Sequence, residues 1–479
     1  MKTMSTRTRA SGALILGIAA SVVVLSAGIA QAQYRIEGVT GMTTLDFTAK
    51  AGEVSTPEGG SLHFWGYQED SNSQNIPGGA ALPQYPGPTL IVNQGAAVTI
   101  NFKSELPFEQ CSSIIFPGHD VSATGGSVGL LTNESCATID AETGDVVPGE
   151  TVAYSFTASE PGTYTYYSGT ESELQIEMGL VGALIVRPSM GEDHAYNHAD
   201  TRFDNEYLFL LTSMDPSYHA LAEQGRFDEI DMTTRWPVYW FINGRAAPDD
   251  LANSFVPWLP HQPYNIIPRM TPGQRVLVRI IGGDQDQHPL HLHGNHYNEI
   301  ARYGRMLASG PSSGPDLKRG KFTTLSVPGQ TVDAIFEWTG EKLGWDIYGG
   351  ADVWPEMAHG CDALVNPDAP YEPGVNELSN ADVVYDSVTH EYCLDHGKEF
   401  PVVLPETQNL AFGGWWSGSP YMGGAGALPP GEGGLNPFGG YFFMWHSHTE
   451  KELTNFDIFP GGMLSMMVVE PPGTVIDNN

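Results

Sequence analysis

Positive charge is scarce in this chain: 22 lysines and arginines face 56 aspartates and glutamates, leaving a formal net charge of −34 over 479 residues. A surface this acidic repels phosphate backbones and anionic lipid, which argues against nucleic acid and membrane surfaces as partners. It attracts cations and also suits solubility at high salt, and composition does not separate the two. No apolar run beyond residue 30 is long enough to span a bilayer. Helical periodicity is nearly absent, with a turn or two expected near Tyr218–Gln224. Cysteine is sparse at four residues, and methionine never forms a tract.

What is there begins with an export signal. Lys2, Arg7 and Arg9 precede an apolar run from Gly12 to Ala30, and Ala30-Gln31-Ala32 supplies a small-x-small cleavage signal. This order predicts a secretory signal peptide over residues 1–32 and a mature chain from about Gln33, secreted or periplasmic, with no membrane insertion after cleavage. An uncleaved anchor is the alternative, disfavoured because the run is near the lower limit for a span. Export makes disulfides the expected fate of the cysteines. Local pairing, Cys111 with Cys136 and Cys361 with Cys393, is preferred over the other two connectivities. Each bridge would close a loop worth about 3–4 kcal/mol; buried free thiols are the alternative.

Short alternating runs rich in Val, Ile, Thr, Tyr and Phe, such as VTINF at Val98–Phe102 and VLVRII at Val276–Ile281, are broken by Pro-Gly and Gly. They predict an all-β fold of sandwich or barrel type. The chain also repeats. Val147-Pro-Gly-Glu-Thr-Val152 opens one strand much as Val327-Pro-Gly-Gln-Thr-Val332 opens another. GALIVRP at Gly182–Pro188 closes the first half as MLSMMVVEPP at Met463–Pro472 closes the second. Two copies of one sandwich are therefore expected, over 33–190 and 200–479, the second enlarged by an insertion at about 341–440. The Gly- and Pro-rich stretch Gly413–Gly440 marks irregular loop, while Trp345, Trp354, Trp415 and Trp416 argue that the insertion packs against something.

Six of the fifteen histidines fall in two short segments, His288-Pro-Leu-His291-Leu-His293-Gly-Asn-His296 and His446-Ser-His448. Residues i and i+2 of a strand share a face. His291 and His293 thus point one way, as do His446 and His448, and if the two strands are neighbours four imidazoles converge. Neutral nitrogen donors of this kind suit copper best and zinc next. Against this stands the ordinary reading of satisfied core or surface histidines, which two paired His-x-His strands make the weaker one.

HPLHLHG resembles the HPxHLHG signature of the multicopper oxidases, and His446-Ser447-His448 is similar to their C-terminal His-Cys-His. YPGPTLIVNQG, PGTYTYYSG, GLVGALIVRP and FINGR also fit the family's strand pattern. The resemblance implies two cupredoxin-like Greek-key β-sandwich domains. It implies His291 as a type 2 copper ligand, His293, His446 and His448 as ligands of the type 3 pair, and His288 as an imidazole of the blue type 1 copper, with Met463 an axial candidate or a core methionine. The departures matter as much. Ser447 stands where the family has its type 1 cysteine, and Lys451 and Glu452 lie near the next type 1 histidine. In the first domain Ile115, Pro117, Tyr167 and Gly169 replace four histidines. A blue site needs a thiolate that a serine hydroxyl cannot replace, and four matching histidines are half of what a trinuclear cluster takes. Laccase-type oxygen reduction is not expected.

The remnant implied is a single copper site of four histidines. Tyr167 is a redox or axial candidate, though filling vacated space is the simpler role. His288 is expected in a structural or supporting role. His63 and His119 are the histidines able to restore ligation from the first domain, and His296 is expected at the surface. In the insertion His359, His390 and His396 lie near Cys361 and Cys393, where disulfides with surface histidines are preferred over a Cys/His metal site. The resemblance implies oxidoreductase chemistry on a small-molecule or metal-ion substrate, with the enzyme assignment open. The alternatives are copper sequestration or delivery, against which the lack of Met-rich tracts weighs, and a structural surface protein. Oligomeric state is open.

Overall fold

A computed structural model describes residues 34–71, 81–338, 441–470 and 474–476, with the backbone of 385–386 and 391–392. The expected signal peptide, the expected insertion with its tryptophans and histidines, and the expected Cys361–Cys393 pairing lie outside the described residues.

The first sandwich has one sheet containing β1 (Thr44–Ser55), β2 (Ser61–Glu69), β4 (Ala97–Ser104) and β5 (Val152–Thr157), and a second containing β3 (Gly87–Asn93), β6 (Gly162–Tyr167) and β7 (Val181–Arg187). Alternation explains β4 and β5: Val98, Ile100 and Phe102 are buried and lie opposite Phe156, Tyr154 and Val152 in an antiparallel register. One face of each strand is thereby committed to the core. The run VGALIVR of β7 does not alternate and is buried throughout. Leu184 and Val186 join the core of their own sandwich, while Ala183 and Ile185 pack with Leu208, Leu210 and Ile281 of the second. Burial on both faces is why this strand reads as a continuous apolar run. The predicted Cys111–Cys136 bridge is present.

The second sandwich repeats the plan. β8 (Asn205–Met214) runs parallel to β10 (Arg275–Gly282), which pairs antiparallel with β13 (Thr331–Glu337). In the other sheet β9 (Arg269–Met270) runs parallel to β15 (Leu464–Val469), followed in order by β14 (Tyr441–Ser447), β11 (His288–Leu292) and β12 (Thr323–Ser326). The sequence repeats fall on equivalent strands: β4/β5 pairs as β10/β13 does, and β3/β7 is parallel like β9/β15. Among the described residues no strand ladder joins residues before 190 to residues after 200. The helix expected near Tyr218 spans Pro216–Glu223, its first turn capped by the Asp215 side chain accepting from the Ser217 N–H at 3.0 Å.

Between the sandwiches lies an ion network. Arg187 grips Glu206 with both terminal nitrogens, at 2.5 and 2.6 Å, and Arg279 reaches the same carboxylate at 2.7 Å. Arg279 also donates to Thr163 at 2.9 Å and approaches Asp333 at 3.3 Å. Burial alone would raise the Glu206 carboxyl, but the two guanidinium groups override it and bring it down to about 2.

Candidate metal centre

β11 and β14 are antiparallel neighbours with His291 directly opposite His446 and Leu290 opposite Ser447. The backbone continues this pairing at both ends: the His293 N–H donates to the Met444 carbonyl at 3.0 Å, and the His448 N–H to that of Pro289 at 2.8 Å. Strand parity then sorts the side chains. Leu290, Leu292, Phe443 and Trp445 enter the hydrophobic core. His291, His293 and His446 are left on the opposite face, their donor nitrogens all within 4.8 Å of one another.

The fourth histidine, His448, is exposed, with its ring centroid 4.9 Å from that of His291 and 5.6 Å from that of His446. His446 Nδ1 donates to the Ser447 carbonyl at 2.5 Å, leaving Nε2 with its lone pair 2.7 Å from His293 Nε2. Such a hydrogen bond to a carbonyl fixes the tautomer that a metal-binding imidazole needs. His291 Nδ1 lies 2.8 Å from the Thr323 hydroxyl. Burial, followed by the neighbouring imidazoles, pushes His446 down to about 3, and burial with His448 nearby lowers His291. Both rings are therefore neutral near pH 7, the state in which imidazole binds a metal. Phe322, half exposed, stands edge-on to His291 with centroids 5.9 Å apart.

His288 belongs to the other face. Three residues from His291, it points into the protein and is fully buried. Its Nε2 lies 3.1 Å from Asp284 Oδ1 and its Nδ1 3.0 Å from Glu452 Oε2. Burial would depress this imidazole, but Asp284 and then Glu452 outweigh it and raise it to about 10, so the ring is a cation. Ser447 donates its hydroxyl to the same Glu452 oxygen at 2.5 Å. Asp284 in turn accepts from Ser213. His288 thus has both nitrogens engaged by carboxylates, in keeping with a supporting role. Met463 is fully buried in the core cluster with Trp445 and Met467. Sequence reasoning noted Glu452 only as a neighbour and missed Asp284, whose one signal is its position four residues before His288.

In the first sandwich the replaced positions still meet. The Ile115 N–H donates to the Tyr167 carbonyl at 2.9 Å, and a Cβ added to Gly169 would fall 2.8 Å from Ile115. Tyr167 is half buried, which raises its phenol and keeps it protonated. His119 packs edge-on against Phe156 and Tyr164, at centroid distances of 4.8 and 4.5 Å. It borders a cavity of about 800 Å³ shared with Tyr303 and Arg305. His63 lies beside Glu53 and Glu223. Neither is grouped with the histidine cluster of the second sandwich. His296 is exposed, as expected.

Residues 82–191 match the family model described as multicopper oxidase. Over that segment the chain is similar to multicopper oxidases. The curated relatives include an L-ascorbate oxidase of Cucurbita pepo var. melopepo, 27% identical over 175 residues, covering 35% of this chain and 27% of that protein. Multicopper oxidase MCE of Talaromyces pinophilus is 35% identical over 166 residues, covering 34% of this chain and 24% of its own. The chain therefore matches about a quarter of the length of these multicopper oxidases. Among solved structures, a blue copper oxidase from Nitrosomonas europaea aligns over 89% of this chain and 85% of its own, with a TM-score of 0.48 and 16% identity. Multicopper oxidase relatives imply copper, and the donor set fits: three imidazoles on one sheet face, with a fourth at the rim. Among the described residues no helix is long and apolar enough to cross a membrane.

Proposed function

We propose that this chain is an exported copper protein that holds one copper ion among His291, His293, His446 and His448 and works without a blue copper centre. The observation that carries the reading is the pairing of His291 with His446 across β11 and β14, which gathers donors from two segments about 150 residues apart. Copper, when bound, supplies one-electron redox chemistry and polarises a bound oxygen ligand.

The protein's own part is to orient and to exclude. The Ser447 carbonyl fixes the His446 tautomer, Thr323 steadies His291, and the Asn295 amide holds the His293 carbonyl at 2.9 Å. His448, exposed at the edge, leaves an approach for a small molecule or a metal ion. The absence of a blue centre rests on Ser447, whose oxygen is committed to Glu452, and on His288, held as a cation by two carboxylates. A cationic imidazole has no lone pair to give a metal. This supports oxidoreductase-type chemistry at one site rather than four-electron reduction of oxygen.

Metal analysis of the purified protein, with visible absorption and electron paramagnetic resonance, tests the reading. One copper per chain without an intense blue band is expected. Replacing His293 and His446 together by Ala should abolish tight copper retention while the thermal transition of the metal-free protein persists. Copper retained at parental stoichiometry by that double variant places the metal elsewhere.

A further inference from the structure

A second group of candidate metal donors lies where the helix Pro216–Glu223 meets the first sandwich, far in sequence from the histidine pair. Glu53 of β1 and His63 of β2 are directly opposite in the antiparallel register, with His63 Nδ1 3.4 Å from Glu53 Oε1. The third member, Glu223, is the last residue of the helix Pro216–Glu223. His219, buried one turn earlier, donates its Nδ1 hydrogen to the His63 carbonyl at 2.5 Å. That bond pins the helix to the strand at the residue concerned, and Glu223, four positions on, projects from the same helix face. The donor atoms of Glu53, His63 and Glu223 all lie within 4.8 Å of one another.

Two further observations point to a cation. His63 Nε2 is shielded from solvent yet has no hydrogen-bond partner, an arrangement proteins avoid unless something else takes the lone pair or proton. Glu223 places a carboxylate at the negative end of a helix whose last turn holds no lysine or arginine, where a positive charge is what the helix dipole favours. A dication answers both. Two carboxylates balance its charge, and one imidazole with two carboxylates is a donor set used for zinc.

We propose that Glu53, His63 and Glu223 form a second metal site, for a divalent cation of the zinc type. It is separate from the histidine cluster and does not depend on that cluster binding copper. Three ligands from a hairpin and a helix would tie β1, β2 and the helix together, leaving a fourth position for water.

The test uses the whole mature chain carrying His293→Ala and His446→Ala, stripped with a chelator and titrated with zinc(II) by calorimetry. One zinc per chain is expected to remain in this background, with a zinc-dependent rise in the melting temperature. Adding Glu223→Gln, at the exposed end of the helix, should weaken zinc by at least the roughly 10- to 100-fold that loss of a supporting group costs, and remove the rise. The melting temperature in chelator should be unchanged. His63→Gln provides the second variant and should do the same. Zinc binding unaltered by Glu223→Gln, or no zinc bound in the starting background, overturns the assignment.

Discussion

Ser447 and Glu452 share a hydrogen bond of 2.5 Å, and the glutamate oxygen that accepts it also takes His288 Nδ1 at 3.0 Å. A serine, a glutamate and a histidine with Asp284 behind it thus form a closed ionic group immediately beneath the histidine cluster. His446 and His448 face outward while Ser447, between them, faces in. The single strand β14 consequently joins two chemically unlike sites, one of clustered imidazoles and one of paired charges.

The first prediction follows from that closure. Ser447→Cys alone should not produce an intense blue absorption on adding copper, because His288 remains a cation between two carboxylates and Glu452 supplies oxygen where imidazole is needed. Ser447→Ala should cost about 1–3 kcal/mol, the penalty for leaving a buried acceptor short of a partner, measured by urea denaturation. A blue thiolate band from Ser447→Cys would mean that the cysteine was all the site lacked.

The second concerns alkaline pH. His288 in the folded protein is raised to about 10 from an ordinary value of 6.5. A raised cation contributes its full stabilisation below its unfolded value and loses it as pH climbs towards the folded one. Stability should therefore fall between about pH 6.5 and pH 10, read as a declining melting temperature in chelator. His288→Gln should start lower and show a flatter decline over that window. Equal slopes in the two proteins would remove His288 as the cause.

The third concerns acid. Glu206 is held down to about 2 from an ordinary 4.5, so its contribution is intact above 4.5 and lost as pH falls towards 2. Arg279→Met removes one of its two cationic partners and leaves Asp333 less compensated, costing about 3–5 kcal/mol at neutral pH. Urea midpoints for Arg279→Met and the parent, at neutral pH and near pH 3, check both statements: the gap between the proteins should narrow in acid.

Much of this architecture could be read along the chain. Alternation in VTINF and its counterpart VLVRII marked strands because a pleated backbone sends neighbours to opposite faces, and the Val-Pro-Gly repeat announced a duplicated sandwich. The spacing of His291 with His293, and of His446 with His448, put each pair on one face for the same reason. Parity even separates His288 from His291. These are local consequences of a two-residue period, and a sequence contains them whole.

Which strands lie side by side is a different matter. The pairing of β11 with β14 joins residues about 150 positions apart, and it is selected by how Leu290, Leu292, Phe443 and Trp445 fill a common core, a cooperative outcome of the whole packing. Only that packing brings Glu452 and Asp284 to opposite nitrogens of His288, or seats a helix end over Glu53 and His63. Strand period belongs to the backbone of each segment; the company its side chains keep is decided by the three-dimensional core.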